Sequence, residues 1–358
     1  MIREELESRK LPELLTLESG EKVRSRQDWE RRRGEIEELL RREFTGYPAR
    51  LGVRTAGRVL FCDENGYGGK AVVKTIQMEI KSDFSFGTFP FRLALPKGTA
   101  NPPLFLYLAF TSEIADGLGE EILDAGYGIA SVYYQDMAPD YYDEHKNGLG
   151  RFCTRNPYDS WGKLAVWAWG ASRMLDYLLE EESVNAGRIA VMGHSRLGKT
   201  ALAAGCFDER FSLTVSNDSG GGGAALFRKK GGEQIENLYG KGSRLWFCGN
   251  FFSYINRTEE LPFDQHFLLA LAAPRHLYVC SASQDAWADP KAEFLACAAA
   301  SPAYGLYGLA GLVTQDAWPE CGRPLHEGYI GYHLREGAHY LGRYDWQQVI
   351  AYRNRWGI

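Results

Sequence analysis

The 358-residue chain has no excess of positive charge, no long apolar run and no paired cysteines. Its 41 Lys and Arg stand against 46 Asp and Glu, a formal charge of -5. That balance offers nothing to a polyanion such as nucleic acid or to an anionic membrane. No apolar run approaches the roughly 18 residues that span a bilayer. The start, Met1-Ile2-Arg3-Glu4-Glu5-Leu6-Glu7, is charged where a signal peptide would be apolar. These absences predict a soluble, cytoplasmic chain, or a secreted or periplasmic one if a leader is removed. The seven cysteines (Cys62, Cys153, Cys206, Cys248, Cys280, Cys297, Cys321) are scattered singly, without a C-x-x-C pair. Such a set argues against a disulfide framework and against a zinc site. Cys280, in Leu277-Tyr278-Val279-Cys280, reads as a small core residue. Repeats and low-complexity linkers are also missing.

What is present is ordinary for a globular chain: 45% hydrophobic, 24% charged. The expectation is one catalytic domain over 1–358, with a helical extension over 1–50 packed on it, and a monomer. Aromatic residues are plentiful, with 9 Trp, 20 Tyr and 18 Phe. Flat rings suit a sugar cleft, but a large core uses them too, and most are read as core.

Residues 28–44 carry Trp29, Ile36, Leu39 and Leu40 at helical spacing, an amphipathic surface helix ended by Gly46-Tyr47-Pro48. Strand patterning follows over 58–62, 71–80 and 89–95, closed by Pro96-Lys97-Gly98; strands in immediate succession predict antiparallel neighbours. From Pro103 the rhythm becomes strand–helix alternation, which predicts a parallel sheet covered on both faces. Strands are expected over 104–110, 129–134, 188–192, 213–216 and, last, 277–281. Helices are expected over 120–125, from a cap at Asp159, from about Leu197, around 293–299 and from near Asp345. Glycine-rich stretches over 220–223 and 231–232 follow the 213–216 strand, where an open α/β sheet places its site loops.

The segment Ile189-Ala190-Val191-Met192-Gly193-His194-Ser195-Arg196-Leu197-Gly198-Lys199 runs a buried strand into a small-residue turn and then a helix. This setting forces a serine outward on a strained backbone, with helix-terminal N–H groups facing the reacting carbonyl. It predicts an α/β-hydrolase fold, a three-layer αβα sandwich, with Ser195 as nucleophile. The usual G-x-S-x-G is altered, because the second glycine comes one position late and Arg196 follows the serine. Arg196 is a candidate oxyanion donor. As plain helix residues, Arg196 and Lys199 would both simply face solvent. The run 220–223 lacks the G-K-[ST] of a phosphate loop.

A nucleophilic serine needs a base, and the base needs an acid to orient it. Five histidines follow Ser195: His266, His276, His326, His333 and His339. His266 sits in a helical pattern, His276 opens a strand, and His326 and His333 flank Gly328 and Gly331, where they could line a loop. His339, in Arg335-Glu336-Gly337-Ala338-His339-Tyr340 before the last helix, occupies the place of a base in this chain order. For the acid, a loop after a late strand is the expected place, and Asp285 stands close to the end of the 277–281 strand. Asp289 precedes Pro290 and can cap the next helix. Asp218, at the exit of the 213–216 strand, is the alternative, with an Asx-turn as its plain reading.

The motif Gly193-His194-Ser195-Arg196-Leu197-Gly198-Lys199 resembles the G-[CH]-S-R-x-G-K motif of carbohydrate esterase family 15, the glucuronoyl esterases. Further segments are similar to bacterial members. They are Asn217-Asp218-Ser219-Gly220, Leu261-Pro262-Phe263-Asp264-Gln265-His266, Ala273-Pro274-Arg275, Trp287-Ala288-Asp289-Pro290, Arg335-Glu336-Gly337-Ala338-His339 and the early Trp29-Glu30-Arg31-Arg32-Arg33. The resemblance spans most of the chain. It implies a metal-free, cofactor-free esterase that cleaves the ester between 4-O-methyl-glucuronic acid on xylan and lignin alcohols. It implies Ser195 as nucleophile, His339 as base, Arg196 at the oxyanion, and Lys199, Trp287 and Glu233 at the sugar. Within the family the acid stands at the position of Asp218 or of Asp285, and this chain has an aspartate at both; the resemblance favours Asp285, since an aspartate at 218 has a shorter reach than the glutamate often found there. An acetyl xylan esterase or general carboxylesterase is the alternative enzyme. A catalytically silent binding protein on the same fold is the alternative class.

Overall fold

A computed structural model describes residues 2–48, 52–114, 117–153, 156–229, 231–240 and 243–358. The expected boundary at residue 50 and the first residue, Met1, lie outside the described residues. Helix α1 (Ile2–Ser8) opens the chain, and Leu14, Leu17 and Val23 of the following segment enter the same core as α2 (Arg26–Leu40). Helix α2 starts three residues before its first apolar residue, Trp29, because Ser25 caps it. Ser25 Oγ accepts from Asp28 N (3.1 Å), while the Asp28 carboxylate accepts from Ser25 N (3.0 Å). Its Trp29, Ile36 and Leu40 are fully buried. Burial of an aliphatic side chain such as Ile36 or Leu40 contributes roughly 1.5–3 kcal/mol.

Three long strands follow, β1 (Arg54–Gly66), β2 (Ala71–Lys81) and β3 (Phe86–Pro96), antiparallel to one another as the sequence predicts. The alternating part of the chain then supplies β4 (Leu104–Ala109), α3 (Leu118–Asp124), β5 (Gly128–Tyr133), α4 (Tyr134–Met137), α5 (Lys163–Leu178), β6 (Ile189–His194) and α6 (Arg196–Phe207). It continues with β7 (Leu213–Asn217), α7 (Ile235–Gly240), α8 (Gln265–Ala270), β8 (His276–Ala282), α9 (Pro290–Gly305), β9 (Ile330–Arg335) and α10 (Arg343–Trp356). The nine strands form one sheet in the order β1-β2-β3-β5-β4-β6-β7-β8-β9. From β5 to β9 every neighbouring pair is parallel.

The order explains the layers. From β4 the chain steps outward to β5, then crosses back over β4 to β6 and continues in that direction to β9. Right-handed crossovers therefore send α3 to one face and α5 and α6 to the other. The two cores agree: Ile122 and Leu123 of α3 pack with Trp346, Val349 and Tyr352 of α10 on one side. On the other, α5, α6, α8 and α9 pack with α2. The result is the three-layer αβα sandwich expected from the alternation. Strands β4 to β9 are buried almost throughout, so they read as continuous apolar runs rather than as alternation.

Two expectations are corrected. Asp159 does not cap α5: Gly162 holds that position and no side chain caps it. The 277–281 strand is not the last, because β9 follows it. Gly331 inside β9 hides that strand from a propensity reading. A Cβ there would lie 2.3 Å from the Tyr278 ring, so the glycine is a packing requirement rather than a turn. His333 accordingly lies inside a buried strand, not in a loop.

Candidate active site

Every candidate residue except those on α6 comes from a loop leaving the carboxyl end of a parallel strand, and α6 itself begins at such an exit. Ser195 follows β6, beside the point where the strand order reverses, which is where open α/β sheets bind ligands. Its backbone is left-handed (φ 57°, ψ -127°), a conformation that costs on the order of 1–3 kcal/mol in a non-glycine residue. Ser195 N donates to Asn217 O (2.9 Å), tying the turn to β7. The tightness of the turn demands the flanking glycines. A Cβ on Gly193 would meet Leu197 O at 2.1 Å, and one on Gly198 would meet Asn217 O at 3.0 Å. The second glycine stands one position later than usual because it answers to β7 rather than to the serine.

His339, in the loop after β9, is partly exposed, and its Nδ1 lies 2.5 Å from Asp285 Oδ2. An ionised carboxylate only accepts, so Nδ1 carries the proton and Nε2 is left as the basic nitrogen. Asp285 is buried in the loop after β8 and also accepts from Ala288 N (3.1 Å). Burial pushes its carboxyl up. The His339 and Ala288 hydrogen bonds and the nearby imidazoles outweigh that and hold it below the usual carboxylate range. Asp289 caps α9, its side chain accepting from Ala292 N at 3.0 Å.

Asp218 lies in the same cluster: it, Asp285 and His339 offer ligand-type atoms all within 4.8 Å of one another. These three are also where a cation would find donors, but the Asp285–His339 hydrogen bond already engages one atom of each. Asp218 Oδ2 accepts from Arg335 Nη2 (2.9 Å), and Oδ1 has no partner among the described residues. Burial, then the charge of Glu293, push its carboxyl up to about 9 against the pull of Arg335.

The other histidines are committed elsewhere. His266 Nε2 lies 3.0 Å from Pro12 O, and His276 Nδ1 lies 2.8 Å from Tyr352 Oη. His326 and His333 share the Tyr278 hydroxyl, and His333 also meets Asp345. A sixth, His194, packs its ring 4.5 Å from that of His339. Asn217 donates to Asp345 with its Nδ2, so its Oδ1 faces His194 Nδ1 at 2.6 Å. Burial, and then His339, press His194 down to about 4. At neutral pH it is an uncharged neighbour that adds no repulsion when His339 takes up a proton.

A cavity of about 390 Å³ opens over this cluster, lined by Ser195, His339, Asp218, Arg196, Lys199, Glu233 and Trp287, with Asp140, Asn237 and Trp246. Asp285 stands beneath it, behind His339. Lys199 is buried and its ammonium is fully engaged: it donates to Ser219 O (2.6 Å), to Gly221 O and to Glu233 Oε2 (2.5 Å). It is therefore not a solvated helix residue. Glu233 Oε1 in turn accepts from Trp287 Nε1 (3.3 Å), and the Trp287 ring is 44% exposed, a flat wall on the cavity. The 218–225 loop is held from below by Glu293, which accepts from Ser219 N (2.8 Å), Gly220 N (3.0 Å) and Ser281 Oγ (2.6 Å).

Asp140, Trp246, Asn237, Glu293 and Arg335 were not legible as site residues in the sequence. Asp140 follows β5, and its place at a strand exit was the only signal. Glu293 and Arg335 lay in patterns of helix and loop that gave no hint of burial.

Relatives share both sequence and fold. The family profile described as glucuronyl esterase, fungi, matches residues 78–308. Carbohydrate esterase MZ0003, from an unknown prokaryotic organism, is 33% identical over 96% of this chain and 88% of its own length. The 4-O-methyl-glucuronoyl methylesterase of Hypocrea jecorina is 31% identical over 84% of this chain, which spans 63% of that protein. The structure of a glucuronoyl esterase from Solibacter usitatus superposes with a TM-score of 0.88, at 36% identity, over 96% of this chain and 97% of that one. The sandwich is thus the α/β-hydrolase fold of these enzymes. With the match running through most of the chain in both sequence and fold, this protein belongs to the glucuronoyl esterases of carbohydrate esterase family 15.

Proposed function

We propose that this chain is a serine esterase that hydrolyses (4-O-methyl-)glucuronoyl esters, as in the lignin–carbohydrate linkages of glucuronoxylan, through an acyl-enzyme. The observation that carries the reading is the 2.5 Å Asp285–His339 hydrogen bond in a cluster whose cavity also holds the strained Ser195. The names of the relatives support the substrate class.

In this reading Ser195 Oγ attacks the C6 ester carbonyl of the uronate while His339 Nε2 takes its proton. The carbonyl oxygen gains negative charge beside Arg196 and the N–H groups at the start of α6. Collapse breaks the bond to the alcohol, which leaves with the proton from His339. A water then loses its proton to His339 and attacks the Ser195 ester; Ser195 recovers the proton as the uronic acid departs. Asp285 keeps the Nδ1–H tautomer and faces the imidazolium that forms at each step. The Trp287 ring would lie against the sugar. Lys199, whose three donors are taken, would act on the sugar through Glu233, orienting that carboxylate toward the hydroxyls.

The test is turnover of benzyl glucuronate against benzyl galacturonate and acetylated xylan. Preference for the glucuronate supports the reading. Faster deacetylation would overturn it in favour of an acetyl xylan esterase. Retained turnover in a folded Ser195→Ala variant would remove the serine mechanism altogether.

A further inference from the structure

Arg196 is a long side chain with about 2 kcal/mol of rotamer entropy to lose, so its use at an oxyanion depends on what holds it before substrate arrives. Its guanidinium lies over the Trp246 ring (4.7 Å to the centroid), with Phe110 further off at 5.7 Å. Its Nη1 donates to Asp140 Oδ2. Asp140 is nearly inaccessible at its side chain (7%), whereas that of Arg196 is 35% exposed, so the arginine presents itself to the cavity and the aspartate stands behind it.

Asp140 is itself held at both oxygens. Trp246 Nε1 donates to Oδ1 (2.8 Å), and the Tyr134 hydroxyl donates to Oδ2 (2.9 Å). Burial, and then Asp140 itself, push the Tyr134 phenol far above its usual range, so it remains a donor. The backbone beside it is fixed as well. Trp167 Nε1 donates to Ala138 O (2.8 Å), and a buried Lys163–Asp143 ion pair (2.7 Å) ties the loop to the first turn of α5. Trp246 therefore serves twice, supporting the guanidinium with its face and the carboxylate with its N–H. Arg196 Nε is buried and has no acceptor among the described residues, so the exposed part of the guanidinium that can reach the cavity is its Nη end.

We propose that Asp140 is a positioning residue for the oxyanion: with Tyr134 and Trp246 it fixes the Arg196 guanidinium so that its remaining N–H groups face the carbonyl oxygen of the substrate. The proposal rests on the reading of Arg196 given above. Asp140 makes no contact with the substrate; its effect passes through the arginine. It therefore acts on kcat and not on KM, because the oxygen gains its full charge only in the transition state.

The experiment is a double-mutant cycle on benzyl glucuronate, with Tm recorded for each protein. Asp140→Asn keeps the shape and removes the charge; kcat is expected to fall about 10–100-fold with KM within about twofold, less than the roughly 10²–10³-fold loss of a whole oxyanion donor because the arginine itself remains. Arg196→Ala is expected to fall at least as far. Adding Asp140→Asn to Arg196→Ala is expected to cost less than about threefold more, since the partner it positions is gone. If Asp140→Asn does not fold, Trp246→Phe and Tyr134→Phe take its place, each with a smaller loss of kcat that likewise disappears in the Arg196→Ala background. Fully additive losses, or a rise in KM at constant kcat, overturn the proposal. If Arg196→Ala leaves kcat intact, the oxyanion reading fails first; if it cripples kcat while Asp140→Asn does not, only the role of Asp140 fails.

Discussion

The exits of β7 and β8 each bring an aspartate to His339, and they hold it in opposite ways. After β8, Asp285 accepts two N–H groups, from His339 and from Ala288. These donors overcome the cost of burial, and the carboxylate remains charged. After β7, Asp218 has one donor, Arg335, and that guanidinium also serves both oxygens of Asp345 and the carbonyls of Ala338 and Tyr340. The charges of Glu293, Asp285 and Asp345 all bear on Asp218, which is buried and is pushed further up than Glu293. Being close to an imidazole does not by itself keep a carboxyl charged. The donors that each loop supplies decide which carboxyl stays ionised and which takes a proton.

The largest break in this comparison is expected from Asp285→Asn. An amide in place of the carboxylate favours the wrong tautomer of His339, and kcat should fall by about 10³–10⁴ with KM little changed. Asp218→Asn in a parallel assay is expected to lose less than about tenfold. The reverse ranking would exchange the roles of the two loops.

Next in size is the support under the β7 loop. Glu293→Ala leaves Ser219 N, Gly220 N and Ser281 Oγ without their acceptor in a buried place. At about 1–3 kcal/mol for an unmet buried group, the expected loss of stability is roughly 3 kcal/mol or more, read by urea unfolding. An unchanged midpoint would mean that the loop holds itself.

The β8 loop carries Trp287, so Trp287→Ala is expected to raise KM for benzyl glucuronate about tenfold with a smaller change in kcat. Ser219→Ala in the β7 loop removes a hydroxyl that bonds Glu293 and Ala224 N, and is expected to change KM less than Trp287→Ala does.

The last test reads stability against pH. Burial raises the Asp218 carboxyl to about 9 in the folded chain, far above the ordinary range of an aspartate. A carboxyl raised in this way favours the folded state fully below its unfolded pKa, and that stability is lost as pH rises through the folded pKa. Asp218→Asn, which never ionises, should match the wild type near pH 4 and gain on it progressively toward pH 9. Each 1 kcal/mol gained would appear as a Tm difference of a few degrees. A difference that shrinks with rising pH would show that Arg335 keeps Asp218 ionised.

Much of this site was visible in the chain itself. Ser195 was marked by an apolar strand, two glycines and a helix in immediate succession, because a strained turn constrains all of its neighbours in sequence. His339 was marked by its place before the last helix. Strand β9 was missed because Gly331, needed for the Tyr278 ring, looks like a turn residue. Asp140 was missed because nothing local distinguishes an aspartate that will meet an arginine 56 residues later.

The sequence by itself determined the alternation of strand and helix, the serine turn and the candidate partners, since each of these is written in residues close along the chain. Which aspartate is charged, that Lys199 spends its donors on the protein, and that Asp140 stands behind Arg196 were decided only by tertiary structure. Those outcomes depend on desolvation and on donors drawn from distant strands, and the energy of a buried charge is set by everything packed around it.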